Sequence, residues 1–171
     1  MSKATFMEYS MNMAPNPDYR VYFIWLSHKL SKSWEILEAF CESTDSGKII
    51  SSIIWKCDSW SLIFRANLVR WVPLDDNHKL RYPSESEKLA WLRILEKEIL
   101  EFRPKCIYLF GKQVSDFILK NLEMRKIDES EYIFWDTRFI FAQHPSYIAV
   151  YKRKHLPEYI SRIINKINKI S

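Results

Sequence analysis

One short run near the C-terminus combines residue types that could stabilise charge in a reaction. In Phe141-Ala142-Gln143-His144-Pro145-Ser146-Tyr147, an imidazole follows an apolar stretch that is typical of a buried strand. A basic segment, residues 151–155, follows closely. Ligands of open α/β sheets bind where the strands end, so His144 is a candidate site residue. The alternative is that His144 only caps a turn.

Composition limits the classes of function. The 171 residues include only two glycines, so the Gly-rich loops of nicotinamide and ATP enzymes are absent. The length fits one domain over residues 1–171 with a substantial core. A net charge of +5 favours a polyanionic partner, and seven Trp with nine Tyr suit stacking on bases.

The cysteines predict neither a metal site nor a disulfide framework. Cys41, Cys57 and Cys106 have no CxxC spacing and are too few for a four-thiolate site. No metal is therefore expected, and without the Gly-rich loops no organic cofactor is expected either. An odd cysteine count without a signal peptide predicts a cytoplasmic protein. No stretch approaches the roughly 20 apolar residues of a membrane helix, so no membrane partner is expected.

Strands and helices are predicted to alternate along the chain. The predicted strands are 4–11, 61–69, 105–110 and a hairpin of 131–134 with 137–142. The predicted helices are 22–42, 84–102, 114–122 and 157–170, with a turn at 43–48 and an ambiguous segment at 49–57. Residues 84–87 form a capping box at the start of the second helix, and Gly111 marks a tight strand-to-helix turn. This order predicts an α/β fold: a three-layer sandwich with a central, mostly parallel sheet of about four strands flanked by helices.

Four blocks carry a family resemblance. Met13-Ala14-Pro15-Asn16 is a proline-containing loop, residues 67–73 begin with an Asn, residues 103–111 end in Leu-x-Gly, and His144-Pro145-Ser146 completes the set. In this order and spacing they resemble the uracil-DNA glycosylase superfamily. The resemblance spans most of the chain and is strongest from residue 64 to 148.

The resemblance implies a DNA glycosylase that hydrolyses the N-glycosidic bond of uracil or another altered base in DNA. His144 would stabilise the negative charge on the leaving base, as an oxyanion donor does. Asn67 would read the base edge, because an amide both donates and accepts. Phe23 would stack on the base, and Ala14 and Pro15 would belong to the first active-site loop.

Two of these roles have structural alternatives. Asn67 also fits a capped strand end, and Phe23 also fits a core position of the first predicted helix. Tyr19 and Tyr22 compete with Phe23 for the stacking role.

Six residues from Ser146 onward are predicted to contact DNA. Tyr147 and Ile148 would form a wedge loop that enters the duplex, and three cations would meet phosphates. The six residues are Ser146, Tyr147, Ile148, Lys152, Arg153 and Lys154. The alternative is an exposed loop with solvated charges.

The first loop departs from the family pattern. Met13 and Ala14 occupy positions where many relatives carry Asp, Asn or Glu to direct water. Asp18 and Asn16 are the possible substitutes, and Asp18 is the candidate catalytic residue. The missing acid favours a non-catalytic module that binds DNA or a protein partner, which is the alternative. The retained Asn67 and His144 favour an enzyme, which is the prediction. A small-molecule α/β enzyme is the third hypothesis.

Overall fold

The structure, a computed structural model, describes residues 15–27, 29–30, 36–37, 39–58 and 62–170. Its elements alternate in type along the chain. They are β1 (Val21–Ser27), β2 (Lys29–Leu30), β3 (Ile36–Leu37), α1 (Asp45–Ile54), β4 (Ile63–Val69), α2 (Glu85–Phe102), β5 (Cys106–Phe110), α3 (Lys112–Asn121), β6 (Arg125–Lys126), β7 (Glu131–Phe134), β8 (Thr137–Ala142), α4 (Pro145–Tyr151), a 3-10 turn (Arg153–His155) and α5 (Leu156–Ile170).

A six-stranded sheet in the order β4-β1-β5-β8-β7-β6 forms the centre of the molecule. The first four strands are parallel, and β7 and β6 add antiparallel pairs at one side. The predicted mostly parallel α/β sheet is therefore confirmed, with six strands instead of about four. The four parallel strands all end at the same side of the sheet, which we call the carboxyl edge. Their starts define the amino edge.

Helices cover both faces of the sheet, as the predicted three-layer sandwich requires. On one face, Val21 and Phe23 of β1 pack in a core with α1, α4 and α5. On the other face, Tyr22 and Ile24 pack against α2 and α3. Because β1 packs against helices on both sides, its residues 21–26 are apolar without interruption.

The predicted helix over residues 22–42 is wrong. Residues 21–27 form the central strand β1, and residues 36–37 pair with 29–30 as a short antiparallel ribbon. A continuous apolar run gives no period that separates a buried strand from a buried helix. The predicted turn at 43–48 is also wrong beyond Thr44, whose hydroxyl caps α1 by accepting the Gly47 N–H at 3.0 Å. The predicted strand 4–11 lies outside the described residues.

Elements with strong end signals match their predictions. The capping box before α2 is present: Ser84 Oγ accepts the Glu87 N–H at 3.2 Å, and Glu87 accepts the Ser84 N–H at 2.7 Å. The predicted strands at 61–69 and 105–110, the hairpin of 131–134 with 137–142, and the C-terminal helix are confirmed as well.

A buried ion pair ties the end of β4 to α2. Arg70 donates to both carboxylate oxygens of Glu98, and the two side chains are only 4% and 10% exposed. The guanidinium also lies over the rings of Phe64 and Trp91. Bidentate geometry of this kind fixes direction as well as distance, so the carboxyl end of β4 is held in place.

Three further findings concern the described part of the chain. None of its helices is long and apolar enough to cross a membrane. It contains no group of three or more His, Cys, Asp or Glu side chains placed to hold a metal ion. Cys57 and Cys106 are buried free thiols, and burial raises the pKa of Cys57 to about 11 and that of Cys106 to about 12. Both therefore stay protonated and are poor nucleophiles.

Candidate active site

A cavity of about 760 Å³ opens at the carboxyl edge, where β1, β5 and β8 end. Trp25 and Ser27 line it from β1, and Gly111 lines it from the turn between β5 and α3. His144 and Tyr147 close it on the side of β8 and α4. The sequence prediction that His144 lies at a ligand-binding strand end agrees with this position.

His144 is both a helix cap and a wall of the cavity. Its Nδ1 caps the start of α4 by accepting the Ser146 N–H at 3.2 Å, and the same nitrogen lies 2.7 Å from Ser146 Oγ. Because Nδ1 accepts a backbone N–H, the neutral imidazole carries its proton on Nε2. The ring is thus held in one orientation and one tautomer. His144 is both the turn cap and the cavity residue that the sequence offered as alternatives.

The aromatic residue at the cavity is Trp25, and Phe23 lies elsewhere. The Trp25 indole stacks on His144 with ring centroids 4.8 Å apart and 24° between planes, and it also contacts Phe40 at 4.2 Å. Phe23 is fully buried and packs on Phe40, Tyr108 and Phe110. A ring with no exposed surface cannot stack on a base, so the assignment of Phe23 is corrected to a core position, on a strand.

The two tyrosines that competed with Phe23 do not line this cavity either. Tyr22 is fully buried on the opposite face of β1, where its ring meets Phe64. Tyr19 precedes β1 and also packs on Phe64. Trp25 therefore takes the wall position that sequence reasoning gave to other aromatics.

Asn67 is buried next to the cavity and does not line it. It is 1% exposed, and neither its amide oxygen nor its amide nitrogen has a hydrogen-bond partner. Asn67 is the register partner of Trp25 in the parallel pair of β4 and β1, so the two side chains share a face of the sheet. Trp25 lines the cavity on this face and stacks on His144, whereas Asn67 has no surface in the cavity.

The loop with Pro15 and Asp18 lies at the wrong edge for catalysis. The backbone of Arg20 bonds to Leu62 at 2.9 Å and to Lys105 at 2.8 Å, and these residues precede β4 and β5. The loop is therefore at the amino edge, about 20 Å from Ser27 along β1. Asp18 is exposed there, and Pro15 is buried there. The catalytic assignment of Asp18 and the site assignment of Pro15 are wrong, because this loop precedes β1. A loop at the cavity would have to follow the carboxyl end of the strand. Ala14 lies outside the described residues.

The predicted wedge loop is a helix. Residues 145–151 form α4, and Ile148 is 2% exposed in the core, so it cannot enter a duplex. Ser146 is half-buried against His144, and Tyr147 is 43% exposed. Lys152 places its Nζ 5.6 Å from the Tyr147 ring, and Arg153 and Lys154 are exposed on the 3-10 turn.

Sequence reasoning missed several residues of the cavity. Ser27 would have been found if β1 had been recognised, because it ends that strand. Tyr82 precedes Pro83 at the start of α2, and its hydroxyl donates to the side-chain oxygen of Gln113. Gln113 belongs to the first turn of α3, where Gly111 provides no side-chain cap. That helix start gives the cavity wall a partial positive charge.

Gly111 allows α3 and His144 to approach closely. Its φ of 110° is unfavourable for other residues, and a Cβ there would lie 3.5 Å from His144 Cδ2. The Gly111 N–H donates to the Ala142 carbonyl at 2.8 Å, which joins the ends of β5 and β8. The imidazole and the start of α3 therefore face the same space.

The family model of the Uracil DNA glycosylase superfamily matches residues 27–168. The chain belongs to this superfamily. The matched region begins at Ser27, so it includes Asn67 and His144 and excludes the loop of residues 13–18. This boundary agrees with the position of that loop at the amino edge.

A solved structure resembles this superfamily member in fold. It is the wild-type SMUG2 of Pedobacter heparinus, with a TM-score of 0.58 and 15% sequence identity. The similarity covers 89% of this chain and 76% of that chain. Among curated proteins, none matches the sequence.

Proposed function

We propose that this protein is a DNA glycosylase that removes uracil or another altered base from DNA. Membership of the superfamily supports the reaction class. The observation that carries the proposal is the His144 ring, which lines the cavity with Nδ1 engaged by Ser146 and its proton on Nε2. A ring held in this way can donate a hydrogen bond to a base that occupies the cavity.

The proposed reaction needs an extrahelical base, because the glycosidic bond is inaccessible inside a duplex. When the bond between C1′ and the base nitrogen breaks, the electron pair goes to the base and C1′ becomes oxocarbenium-like. The Nε2–H of His144 and the start of α3 stabilise the negative charge on the base. Water then bonds to C1′, and its proton neutralises the base.

One observation favours the alternative of a non-catalytic binding module. Among the described residues that line the cavity, none is Asp or Glu. A carboxylate that directs water is thus missing from this wall, and the Ser27 hydroxyl is the polar group at the end of β1. We therefore expect slow single-turnover chemistry in the glycosylase and intact DNA binding in either case.

The test is base release from labelled oligonucleotides that contain uracil, hypoxanthine, xanthine or hydroxymethylcytosine derivatives, followed by alkaline cleavage at abasic sites. His144→Ala should slow the best reaction by about a hundredfold or more, as loss of one oxyanion donor does. His78→Asn is the control, since His78 is an exposed loop residue with a φ of 59° that Asn tolerates. If the wild type binds DNA and releases no base from any of these substrates, the protein is a binding module. Equal rates for wild type and His144→Ala would remove His144 from the mechanism.

A further inference from the structure

The amino edge of the sheet carries a cavity of its own, with a volume of about 670 Å³. Five basic side chains from the sheet and from α5 line it: Lys105, Arg138, Arg162, Lys166 and Lys169. Two carboxylates accompany them, because Asp136 also lines the cavity and the buried Glu131 pairs with Arg138 and Lys166. Five cations and two carboxylates leave an excess of three positive charges, which favours an anionic ligand.

The sheet holds one wall of this cavity in place. The Arg138 N–H donates to the Lys105 carbonyl at 3.1 Å, and the Thr137 hydroxyl donates to the Pro104 carbonyl at 2.8 Å. These bonds fix the start of β8 against the segment that enters β5. Glu131 of β7 lies 3.6 Å from an Arg138 nitrogen and also pairs with Lys166, so it joins the sheet to α5. The cations are therefore positioned by the fold without a ligand.

Three of the cations have no carboxylate partner. Among the described residues, the ion pairs at this cavity involve Glu131 only, and none of them includes Lys105, Arg162 or Lys169. Charges that are solvated singly are ordinary on a protein surface. Several unpaired cations that converge on one concave site repel each other, however, so this arrangement is better explained by a ligand than by stability.

Helix α5 shows the same repulsion along its length. Arg162, Lys166 and Lys169 follow each other at spacings of four and three residues, so they share one face of the helix. Like charges at these spacings destabilise a helix. The helix dipole favours a cation in the last turn and so explains Lys169, but it does not explain Arg162 near the middle of the helix.

The side chains of the cavity suit phosphate groups. Arg138 and Arg162 present planar guanidinium groups, which can bind a phosphate through two parallel hydrogen bonds. Lys105 and Lys169 add point charges, and Asn165 adds an amide donor. The volume lies in the range of roughly 300–1,000 Å³ that small-molecule sites have. Three excess charges match a ligand with more than one phosphate group.

We propose that the amino-edge cavity binds a small anion with two or more phosphate groups, either an inorganic polyphosphate or the phosphate chain of a nucleotide. The residues that line this cavity all differ from those described at the candidate active site. The proposal therefore concerns a second site and does not depend on the glycosylase reaction.

The test is isothermal titration calorimetry of the full chain with inorganic tripolyphosphate at constant ionic strength. Wild type should bind one equivalent, and at least tenfold more tightly than it binds sulfate. The double variant Lys105→Gln with Arg162→Gln should bind about tenfold or more weakly, because it loses two charge-assisted hydrogen bonds. The control is Lys97→Gln with Lys120→Gln, which makes the same change in net charge at exposed positions of α2 and α3, the helices on the opposite face of the sheet.

Titration with ATP distinguishes the two sources of phosphate. An affinity equal to that of tripolyphosphate would support recognition of the phosphate chain alone. A tighter affinity that also falls in the Lys105 and Arg162 variant would support a nucleotide as the ligand.

Several results would overturn the site. These are wild type without saturable binding, equal affinities for sulfate and tripolyphosphate, wild-type affinity in the Lys105 and Arg162 variant, or an equal loss in the control. Circular dichroism of each variant checks that the fold is kept. An undamaged single-stranded oligonucleotide is the competitor. If it displaced tripolyphosphate and its own affinity fell tenfold in the Lys105 and Arg162 variant, the cavity would be a nucleic-acid contact and the small-anion proposal would be wrong.

Discussion

At His144, helix capping and the proposed chemistry use different nitrogens of one ring. Nδ1 accepts the Ser146 N–H and caps α4, which leaves the proton on Nε2. The donor can be removed without removing the cap, because Asn is a good N-cap residue. A cap substitution therefore separates a stability role from a catalytic role.

We expect His144→Asn to keep the free energy of unfolding within about 1 kcal/mol of the wild-type value and to slow base release by about a hundredfold. Unfolding is followed by circular dichroism and base release under single-turnover conditions. His144→Ala should lose both properties. If His144→Asn released base at the wild-type rate, the imidazole would be only a cap.

Asn67 is a buried amide whose polar atoms make no hydrogen bond. Such a group costs stability, so its presence is better explained by a ligand than by the fold. Replacement by the similarly shaped Leu should raise the free energy of unfolding by about 1 kcal/mol while it abolishes any base discrimination that Asn67 provides. Asn121→Leu is the control: Asn121 donates to the Phe117 carbonyl at 2.8 Å, so its loss should destabilise. A destabilised Asn67→Leu would contradict this account.

Trp25 is the cavity residue nearest to Asn67 in the sheet register. It is the register partner of Asn67 and its indole stacks on His144, so we expect a smaller side chain at this position to connect the amide to the cavity. We expect Asn67→Asp to change the preference among bases only in combination with Trp25→Leu. The measurement is a double-mutant cycle on relative excision rates. If Asn67→Asp changed the relative excision rates equally in the wild-type and Trp25→Leu backgrounds, the indole would not block access to Asn67.

At the scale of elements, the sequence predicted best those segments whose ends carry explicit signals. The capping box before α2, Gly111 after β5 and the hairpin at Trp135 are local features, and all lie where expected. β1 carries no such signal, since it is buried on both faces and reads as one apolar run. Without β1, the prediction assigns the first active-site loop to residues that precede this strand, at the amino edge. It also overlooks Trp25 and Ser27, which belong to β1.

The start of α2 has a pH dependence that can be measured. Two hydrogen bonds from Arg81, both 2.7 Å long, and the Ser84 N–H lower the pKa of Glu87 from 4.5 to about 2. The stabilisation is therefore complete above pH 4.5 and is lost as pH falls towards 2. Glu87→Gln keeps the capping box and removes the charge, so it should cost about 1 kcal/mol or less at neutral pH.

Urea unfolding of wild type and Glu87→Gln at several pH values checks this prediction. The difference in free energy of unfolding should shrink between pH 4.5 and 2 and vanish below that range. A difference in the free energy of unfolding that stayed constant with pH would mean that the charge of the Glu87 carboxylate does not stabilise the protein.

At the scale of the whole molecule, basic side chains gather at both edges of the sheet. Residues 152–154 lie beside the cavity at the carboxyl edge. A second cavity of about 670 Å³ at the amino edge is lined by Lys105, Arg138, Arg162, Lys166 and Lys169. There, Glu131 pairs with Arg138 and Lys166 and offsets part of the charge. Net charge alone thus does not say which edge meets DNA.

Salt dependence separates the two edges. Neutralising residues 152–154 should flatten the plot of log affinity for single-stranded DNA against log salt by about 0.7 for each lost phosphate contact. Neutralising Lys105, Arg162 and Lys169 makes the same change in net charge at the amino edge and should leave the slope near the wild-type value. Equal slopes for wild type and the 152–154 variant would show that this run only faces solvent. Equal losses in both variants would mean that the overall field of the molecule, and not contact at the carboxyl edge, drives association.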